Sequence, residues 1–215
     1  MISVNNITKR YGENEVLSEI SVELNAGRIY GLVGRNGCGK TMLMKCICGF
    51  VKPTSGKIVI DGKVLGKDMD VPENMGLIIE TPGFIPNYSG YKNLSLLASV
   101  RGKTSKKEIL EYMEMIGLDT KNRKHVGKYS LGMRQKLGIV QAIMEKPEIL
   151  LLDEPMNSLD KKSVELVRKL IRKTADDGAT VLLSSHNQED IDTLCDIVYR
   201  MEDGKIIDNS DVLGK

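Results

Sequence analysis

A glycine-rich octapeptide constrains this 215-residue chain more than any other feature. It reads Gly34-Arg35-Asn36-Gly37-Cys38-Gly39-Lys40-Thr41, follows the apolar stretch Ile29–Val33 and precedes an apolar segment predicted to be helical. Its glycines let the backbone curl so that successive N–H groups converge, and the helix N-terminus adds partial positive charge. The pattern predicts a phosphate-binding loop. The alternative, a glycine-rich turn with an incidental lysine, leaves the flanking strand and helix unexplained.

Two side chains of this loop have predicted chemical roles. Lys40 would neutralise the β- and γ-phosphates of a nucleotide, and the Thr41 hydroxyl would bind Mg²⁺, which prefers oxygen ligands. Cys38 has no required role of its own. The predicted nucleotide-binding segment comprises Gly34, Arg35, Asn36, Gly37, Cys38, Gly39, Lys40, Thr41 and Met42.

A pair of carboxylates follows the apolar run Ile149–Leu152. Flanking prolines bracket this run so tightly that a buried parallel strand is favoured over a core helix. Asp153 is predicted to hold Mg²⁺, directly or through water, and Glu154 to polarise the attacking water as a general base. Alone, the pair fits an exposed acidic strand end equally well. A phosphate loop in the same chain favours the catalytic interpretation.

Short apolar segments alternate with amphipathic helical ones, which predicts an α/β fold. The predicted strands are Ile2–Ile7, Ser21–Leu24, Ile29–Val33, Lys57–Ile60, Gly76–Ile79, Ile149–Leu152, Thr180–Ser184 and Ile197–Met201. Residues 81–145 show helical patterns and no convincing strand, so we expect an inserted helical subdomain, with residues 1–80 and 146–215 forming the core. A capping box at Ser105 and Glu108 begins one helix, which Gly117 ends, and another helix is predicted over Lys161–Ala175.

Charge and cysteine content exclude several classes of protein. With 31 basic and 29 acidic residues, the net charge of +2 gives no reason to expect nucleic acid or an anionic bilayer as the main partner. The four cysteines lack the spacing of a zinc site and are expected to be reduced cytosolic thiols. The sequence shows no signal peptide and no apolar run near the roughly 18 residues that span a bilayer. Any membrane function is therefore expected to come from another chain.

Together these motifs resemble those of the nucleotide-binding subunits of ABC transporters, over residues 1 to 208. The resemblance implies a P-loop NTPase of ABC type, with a mostly parallel core sheet, an N-terminal antiparallel β region and an inserted helical subdomain. It also implies ATP and Mg²⁺ as ligands, and ATP hydrolysis. Tyr11 falls where this family usually places an aromatic ring that stacks on adenine. Its alternative role is that of a surface aromatic residue.

The segment Tyr129–Gln135 occupies the place of the family's signature motif. Ser130 and Gly132 match that motif, whereas Leu131 and Met133 depart from it. In the family this loop binds the γ-phosphate of ATP held by the opposite subunit, which implies that role for Ser130, Leu131 and Gly132. Without the ATP-site motifs, an ordinary serine-capped helix would be the simpler interpretation. Asp160 lies in the position of a loop between subunits.

Two further positions acquire roles from the resemblance. His186 ends a predicted strand and matches the switch histidine that contacts the γ-phosphate, with a buried structural histidine as the alternative. His125 has no such context and is predicted to lie on the surface. Glu80 stands where the family usually has a glutamine that touches Mg²⁺ or the attacking water. A carboxylate there can still bind Mg²⁺ or accept a hydrogen bond, but it adds negative charge.

Glu80 and the segment after it resemble the bacitracin-resistance and lantibiotic-immunity branch, which exports peptide antibiotics. The resemblance to ABC transporter subunits as a whole implies a head-to-tail dimer around two MgATP, docked on membrane permease subunits at the cytoplasmic face of the cell membrane. A different class, a non-transport ABC ATPase acting on nucleic acid or ribosomes, is the alternative. The chain has neither the coiled coil of its DNA-repair members nor the second cassette usual in its translation-factor members. A regulator without turnover would need damaged catalytic residues, yet Asp153, Glu154 and His186 are present.

Overall fold

The computed structural model describes residues 1–211, which form two β-sheets and the helices around them. The strands are β1 (Ile2–Tyr11), β2 (Asn14–Leu24), β3 (Ile29–Val33), β4 (Ser55–Ile60), β5 (Lys63–Val64), β6 (Met75–Ile78), β7 (Ile149–Asp153), β8 (Thr180–Ser184), β9 (Ile197–Glu202) and β10 (Lys205–Asp211). The α-helices are α1 (Lys40–Ile47), α2 (Gly90–Arg101), α3 (Lys106–Met115), α4 (Leu131–Ile143), α5 (Lys161–Asp176) and α6 (Gln188–Leu194). A 3-10 turn covers Val126–Lys128. None of the helices in residues 1–211 is long and apolar enough to cross a membrane.

The central sheet has the strand order β10-β9-β3-β8-β7-β6. All neighbouring pairs are parallel except β10 with β9. Strand β7 is buried on both faces: Ile149 and Leu151 join the core beside α1, whereas Leu150 and Leu152 join the core beside α4 and α5. The alternation of side chains along a strand explains this division, because successive residues point to opposite faces. The prediction of a buried strand at this position is confirmed.

A second, antiparallel sheet with the order β2-β1-β4-β5 covers the side of the molecule that carries α1. Its inward residues, which include Ile7, Leu17 and Ile20, share a core with Leu43 and Met44 of α1. The helix that follows the glycine-rich loop is therefore packed between this sheet and the central one. That packing fixes the position of the loop that precedes the helix.

Helices α2, α3 and α4 all fall between residues 81 and 145. The predicted capping box begins α3, since the Glu108 N–H donates to Ser105 Oγ and the Ser105 N–H donates to Glu108 Oε2. The Ser105 amide, together with the Lys146 ammonium, lowers the pKa of the Glu108 carboxyl to about 2. Ile109 and Met113 are buried on the inner face of α3. The division of the chain at residues 81 and 145 remains a prediction.

Several elements differ from the sequence prediction. Strand β2 begins at Asn14 and not at Ser21, β1 continues to Tyr11, and β6 covers Met75–Ile78, one residue earlier than predicted. The sequence predicts no strand at β5 or β10 and no individual helix at α2 or α6. Strand β10 has almost no buried side chain, so it lacks the apolar alternation that marks a strand in a sequence.

The four cysteines are free and buried, in agreement with the prediction of reduced thiols. Burial raises the pKa of the Cys46 thiol to about 11 and that of Cys195 to about 12. Both thiols therefore stay protonated at neutral pH, and their contribution is to packing.

The tight contact between β6 and α4 gives a test of the packing. A Cβ atom added at Gly76 would lie 1.8 Å from the Ala142 carbonyl oxygen, and backbone on both sides cannot move aside easily. We expect Gly76→Ala to lower the free energy of unfolding by about 3 kcal/mol or more, measured by urea denaturation. Gly83→Ala is the matched control, because nothing lies within 4 Å of its added Cβ. Equal stabilities of the two variants would contradict the packing.

Candidate nucleotide-binding and catalytic site

The register of the parallel strands brings the predicted site residues to one edge of the central sheet. Asp153 of β7 pairs with Ser184 of β8, and Ser184 pairs with Leu32 of β3. Continuing the register by one residue places Glu154 beside Ser185, and the pairing of β6 with β7 places Glu80 in the same row. Ligands of open α/β sheets bind at this carboxyl edge. Segments far apart in the chain therefore meet at one place.

The predicted phosphate-binding loop lies directly before α1. Gly39 precedes the helix with a φ of 109°, a conformation that suits glycine, and no side chain caps the helix. The first N–H groups of α1 therefore have no intrahelical acceptors and are free to bind an anion. A cleft of about 320 Å³ lies here, lined by Val16, Asn36, Gly37, Gly39, Lys40, Thr41, Met42, Lys45, Asp153 and Glu154.

Lys40 is buried, and the loop itself holds its ammonium group. Lys40 Nζ donates to the carbonyl oxygens of Gly34 at 2.7 Å and Arg35 at 3.1 Å. It also lies 3.9 Å from Cys38 Sγ. The backbone of the loop thus fixes one positive charge at the wall of the cleft, where a phosphate oxygen of the nucleotide would be its partner.

Asp153 joins the loop helix to two strands. The Thr41 hydroxyl donates to Asp153 Oδ2 at 2.5 Å, and the Ser184 hydroxyl donates to Asp153 Oδ1 at 2.6 Å. A hydroxyl beside a carboxylate is a donor set that suits Mg²⁺. Residues 1–211 contain no group of three or more His, Cys, Asp or Glu that could hold a metal ion. The Thr41 hydroxyl and the Asp153 carboxylate are the groups at this position that could hold Mg²⁺.

Glu154 is held from three directions. Its N–H donates to Ser184 Oγ at 3.0 Å, and Gln135 Nε2 donates to the Pro155 carbonyl oxygen at 3.0 Å, close to the carbonyl of Glu154. Its carboxylate Oε2 lies 2.8 Å from Nδ1 of His186. The backbone at Glu154 is left-handed, with a φ of 52°, which is unusual for a residue other than glycine. This conformation and these contacts fix the position of the Glu154 carboxylate, as its predicted role of general base requires.

His186 is exposed, which argues against the alternative of a buried structural histidine. His125 is also exposed, as predicted, but it lies away from Asp153 and Glu154, beside Tyr88 in the helical region.

A hydrogen-bond network behind His186 supports the loop that carries it. Ser185 Oγ donates to Asp190 Oδ2 at 3.0 Å, and Arg168 donates to Asp190 Oδ1.

Glu80 also has a left-handed backbone, with a φ of 62°, but its carboxylate does not join Asp153. Glu80 Oε1 accepts a hydrogen bond from Lys45 Nζ at 2.5 Å. The predicted contacts of Glu80 with Mg²⁺ or water remain predictions, and the contact present is an ion pair with α1.

Tyr11 lies at the end of β1, on the side of the phosphate cleft. Its ring is half exposed, Lys9 Nζ lies 4.7 Å from the ring centroid, and the Tyr11 hydroxyl lies 4.0 Å from Met42 Sδ. An exposed ring beside the loop helix is available for stacking on a base. Its predicted contact with adenine stays a prediction.

The signature residues lie at the start of α4. Ser130 caps this helix by accepting from the Met133 N–H at 3.2 Å, and Leu131 is exposed. A Cβ at Gly132 would lie 2.7 Å from the Ser158 carbonyl oxygen, so this close approach requires glycine. A second cleft of about 340 Å³ lies between this helix start and the catalytic carboxylates. Ser130, Leu131 and Gly132 do not line the phosphate cleft of their own chain.

Asp160 caps the next helix. Its Oδ1 accepts from the Ser163 N–H at 2.9 Å, and both carboxylate oxygens contact Ser163 Oγ. These hydrogen bonds lower the pKa of the Asp160 carboxyl. Its predicted position at a contact between subunits stays a prediction.

Three residues of the site escaped sequence reasoning: Ser184, Gln135 and Lys45. Ser184 is a polar residue that ends an apolar strand two positions before His186, and this position was an available signal. Gln135 belongs to the signature segment, but its contact with the Glu154 loop depends on how α4 packs. Lys45 lies one helical turn after Thr41, and its partner Glu80 is 35 positions away.

Residues 17–157 match the family model described as ABC transporter. The match covers more than half of the chain, and the chain therefore belongs to the ABC transporter family. Members of this family are ATPases that bind ATP with Mg²⁺, so the cleft at the sheet edge belongs to an ABC-type ATPase.

The similar proteins include several ATP-binding subunits. The chain is 43% identical over its whole length to an uncharacterised ABC transporter ATP-binding protein, YybJ of Bacillus subtilis, and covers 99% of it. It is 39% identical to the bacitracin transport ATP-binding protein BcrA of Enterococcus faecalis, over 99% of this chain and 70% of that protein. It is 34% identical to the lantibiotic transport ATP-binding protein SrtF of Streptococcus pyogenes, over 96% of this chain and 89% of that protein.

Solved structures agree with the fold. A dimeric bacterial ABC transporter cassette superposes with a TM-score of 0.89 and 25% identity, with both chains covered completely. An ATP-binding subunit of an ABC transporter gives a TM-score of 0.88 at 25% identity, over 98% of this chain and 90% of that chain. The expected P-loop fold of ABC type is confirmed.

The buried hydroxyl of Ser184 gives a test of the site. Ser184→Ala would remove the donor to Asp153 and the acceptor of the Glu154 N–H. Leaving buried polar groups unpaired costs about 1–3 kcal/mol, so we expect urea denaturation to show a loss in this range. We also expect the ATPase rate to fall at least ~10-fold. Ser99→Ala, which alters an exposed serine on α2, is the control. Wild-type turnover in Ser184→Ala would contradict the role of this hydroxyl.

Proposed function

We propose that this chain is the ATP-hydrolysing subunit of an exporter of peptide antibiotics of the bacitracin or lantibiotic kind. The observation that carries the proposal is the similarity, over nearly the whole chain, to ATP-binding proteins of bacitracin and lantibiotic transport. In this proposal the chain acts in the cytoplasm, bound to permease subunits at the inner face of the cell membrane. The alternative, action on nucleic acid or ribosomes, is not retained, because these relatives are transport proteins and the net charge is only +2.

The geometry supports a mechanism for hydrolysis. The N–H groups at the start of α1 and the Lys40 ammonium would bind the phosphates of ATP. Mg²⁺ held by Thr41 and Asp153 would offset the charge of the phosphate oxygens. Glu154 would take a proton from water as the water oxygen attacks the γ-phosphorus and the bond to the β-phosphate oxygen breaks. General-base assistance of this kind is worth ~10²–10⁴-fold in rate.

His186 has a supporting role in this mechanism. Its ring nitrogen Nδ1 contacts Glu154 Oε2, so it orients the carboxylate from the solvent side. Because the carboxylate only accepts, Nδ1 carries the hydrogen of this contact, and the second ring nitrogen would donate to a γ-phosphate oxygen only in the protonated imidazolium form. His186 therefore links the state of the γ-phosphate to the position of the general base, without taking the proton itself.

The working unit in this proposal is a head-to-tail dimer. The start of α4 carries Ser130 and Gly132 but does not line the phosphate cleft of its own chain. A helix start with a serine cap is suited to phosphate oxygens of a nucleotide bound elsewhere. A second copy of the chain supplies such a nucleotide. The similar bacterial cassette described above is a dimer.

Glu154→Gln tests the general base and the dimer together. We expect turnover to fall by ~10²–10⁴-fold, because an amide cannot accept the proton, while ATP still binds. Light scattering after gel filtration should then show an ATP-dependent dimer, because hydrolysis no longer reopens it. The matched control is Glu165→Gln, an exposed position on α5. Ordinary turnover would refute the base, and a protein that stays monomeric with ATP would count against the dimer.

The proposed substrate class requires the chain in complex with its permease subunits. In proteoliposomes that contain this complex, we expect bacitracin-like or lantibiotic peptides to stimulate ATP hydrolysis several-fold. The same complex carrying Glu154→Gln should not respond. The absence of a response to any such peptide would contradict the substrate class, and tight binding of the chain to DNA or ribosomes would favour the alternative.

A further inference from the structure

Helix α1 contacts two carboxylates with two residues of the same face. Thr41 and Lys45 are four positions apart and therefore lie one above the other on the helix. The Thr41 hydroxyl donates to Asp153 at the end of β7, and Lys45 Nζ donates to Glu80 beyond the end of β6 at 2.5 Å. One helix thus bridges the carboxyl ends of two neighbouring strands.

The ion pair of Lys45 with Glu80 lies among several other charged groups at the nucleotide cleft. Three carboxylates lie in one region, those of Glu80, Asp153 and Glu154, and two of them line the cleft. The loop carbonyls hold the ammonium of Lys40, whereas Lys45 both lines the cleft and pairs with a carboxylate. Without Lys45, Glu80 would leave an uncompensated negative charge beside the cleft in which a polyanion is proposed to bind.

This ion pair is expected to contribute too little to the free energy of folding to explain its presence. The Glu80 side chain is 66% exposed, and pairs between exposed groups contribute little to folding. The backbone at Glu80 is also left-handed, which is a cost to the fold. The effect of the pair is therefore expected in the electrostatic potential of the cleft and in the direction of the Glu80 side chain.

We propose that Lys45 is a positioning residue that neutralises Glu80 and holds its carboxylate beside the nucleotide cleft, so that ATP binds next to a third acidic side chain. The inference rests on the proposed nucleotide site and is independent of the exported substrate. In this arrangement Lys45 acts on ATP through Glu80, and its own contact with phosphate contributes little.

A double-mutant cycle tests this inference through nucleotide affinity. The Kd of a fluorescent ATP analogue would be measured for Lys45→Met, Glu80→Gln and the double variant, with Mg²⁺ and with a chelator. We expect Lys45→Met to weaken binding ~10-fold, less at high salt because exposed charges are screened. Glu80→Gln should stay within ~3-fold of wild type, and the double variant should recover to the same range. Lys45→Arg, which keeps the charge, should bind like wild type.

Two results would overturn the inference. If the double variant binds as weakly as Lys45→Met, Lys45 acts on the phosphates directly. If Lys45→Met binds like wild type, the ion pair has no effect on the cleft. Lys173→Met is the matched control, because it breaks an exposed lysine–carboxylate pair of 2.6 Å on α5 and should leave the Kd unchanged. Thermal unfolding of each variant would establish that it is folded.

A reference variant separates this inference from the site on which it rests. Lys40→Ala should abolish binding of the analogue, because Lys40 lines the phosphate cleft. If Lys40→Ala binds like wild type, the nucleotide site itself is wrong. If only the cycle at Lys45 and Glu80 fails, the site stands and the role of Lys45 is wrong.

Discussion

The whole site depends on the carboxylate of Asp153 and the two hydroxyl groups that donate to it. One oxygen accepts from Thr41 of the phosphate loop, and the other accepts from Ser184 of the neighbouring strand. Because the Ser184 hydroxyl donates its proton to Asp153, its oxygen is left to accept from the Glu154 N–H. Hydrogen bonds to charged groups contribute roughly 1.5–3 kcal/mol each. A chain of three hydrogen bonds, two of them to this carboxylate, therefore joins the glycine-rich loop, Asp153 and the backbone of Glu154.

Strained backbone surrounds this network. Glu80, Glu154 and Ser158 have φ values of 62°, 52° and 66°, and all three line the second cleft. Residues other than glycine in this conformation cost on the order of 1–3 kcal/mol each. The parallel register places Glu80 and Glu154 side by side just beyond two neighbouring strands. At both residues the left-handed backbone conformation turns the chain away from the strand direction. The rigid sheet, buried on both faces, maintains a geometry that short loops alone would not keep.

Sequence reasoning reached the parts of this arrangement that depend on local patterns. The strand Ile149–Leu152, the glycine-rich loop and the capping box at Ser105 are encoded within a few residues, and the structure contains each of them. Strand β10 could not be found, because its side chains are mostly exposed and polar, its two isoleucines are adjacent instead of alternating, and it is defined by its pairing with β9. The ion pair of Lys45 with Glu80 depends on where two strands end relative to a helix. Such contacts follow from register and packing, which no short segment of sequence specifies.

Burial divides the site into fixed and exchangeable parts. Ser184 is fully buried, so its hydroxyl keeps the same partners, Asp153 and the Glu154 N–H. His186 and Glu80 are about two-thirds exposed, and their contacts with Glu154 and Lys45 compete with water. Hydrogen bonds at exposed positions can be exchanged at little cost, because water replaces the lost partner. The side chains able to change partners are therefore those at the rim, while the buried network beneath them keeps its geometry. A site built in this way can change its contacts during hydrolysis without disturbing the sheet that supports it.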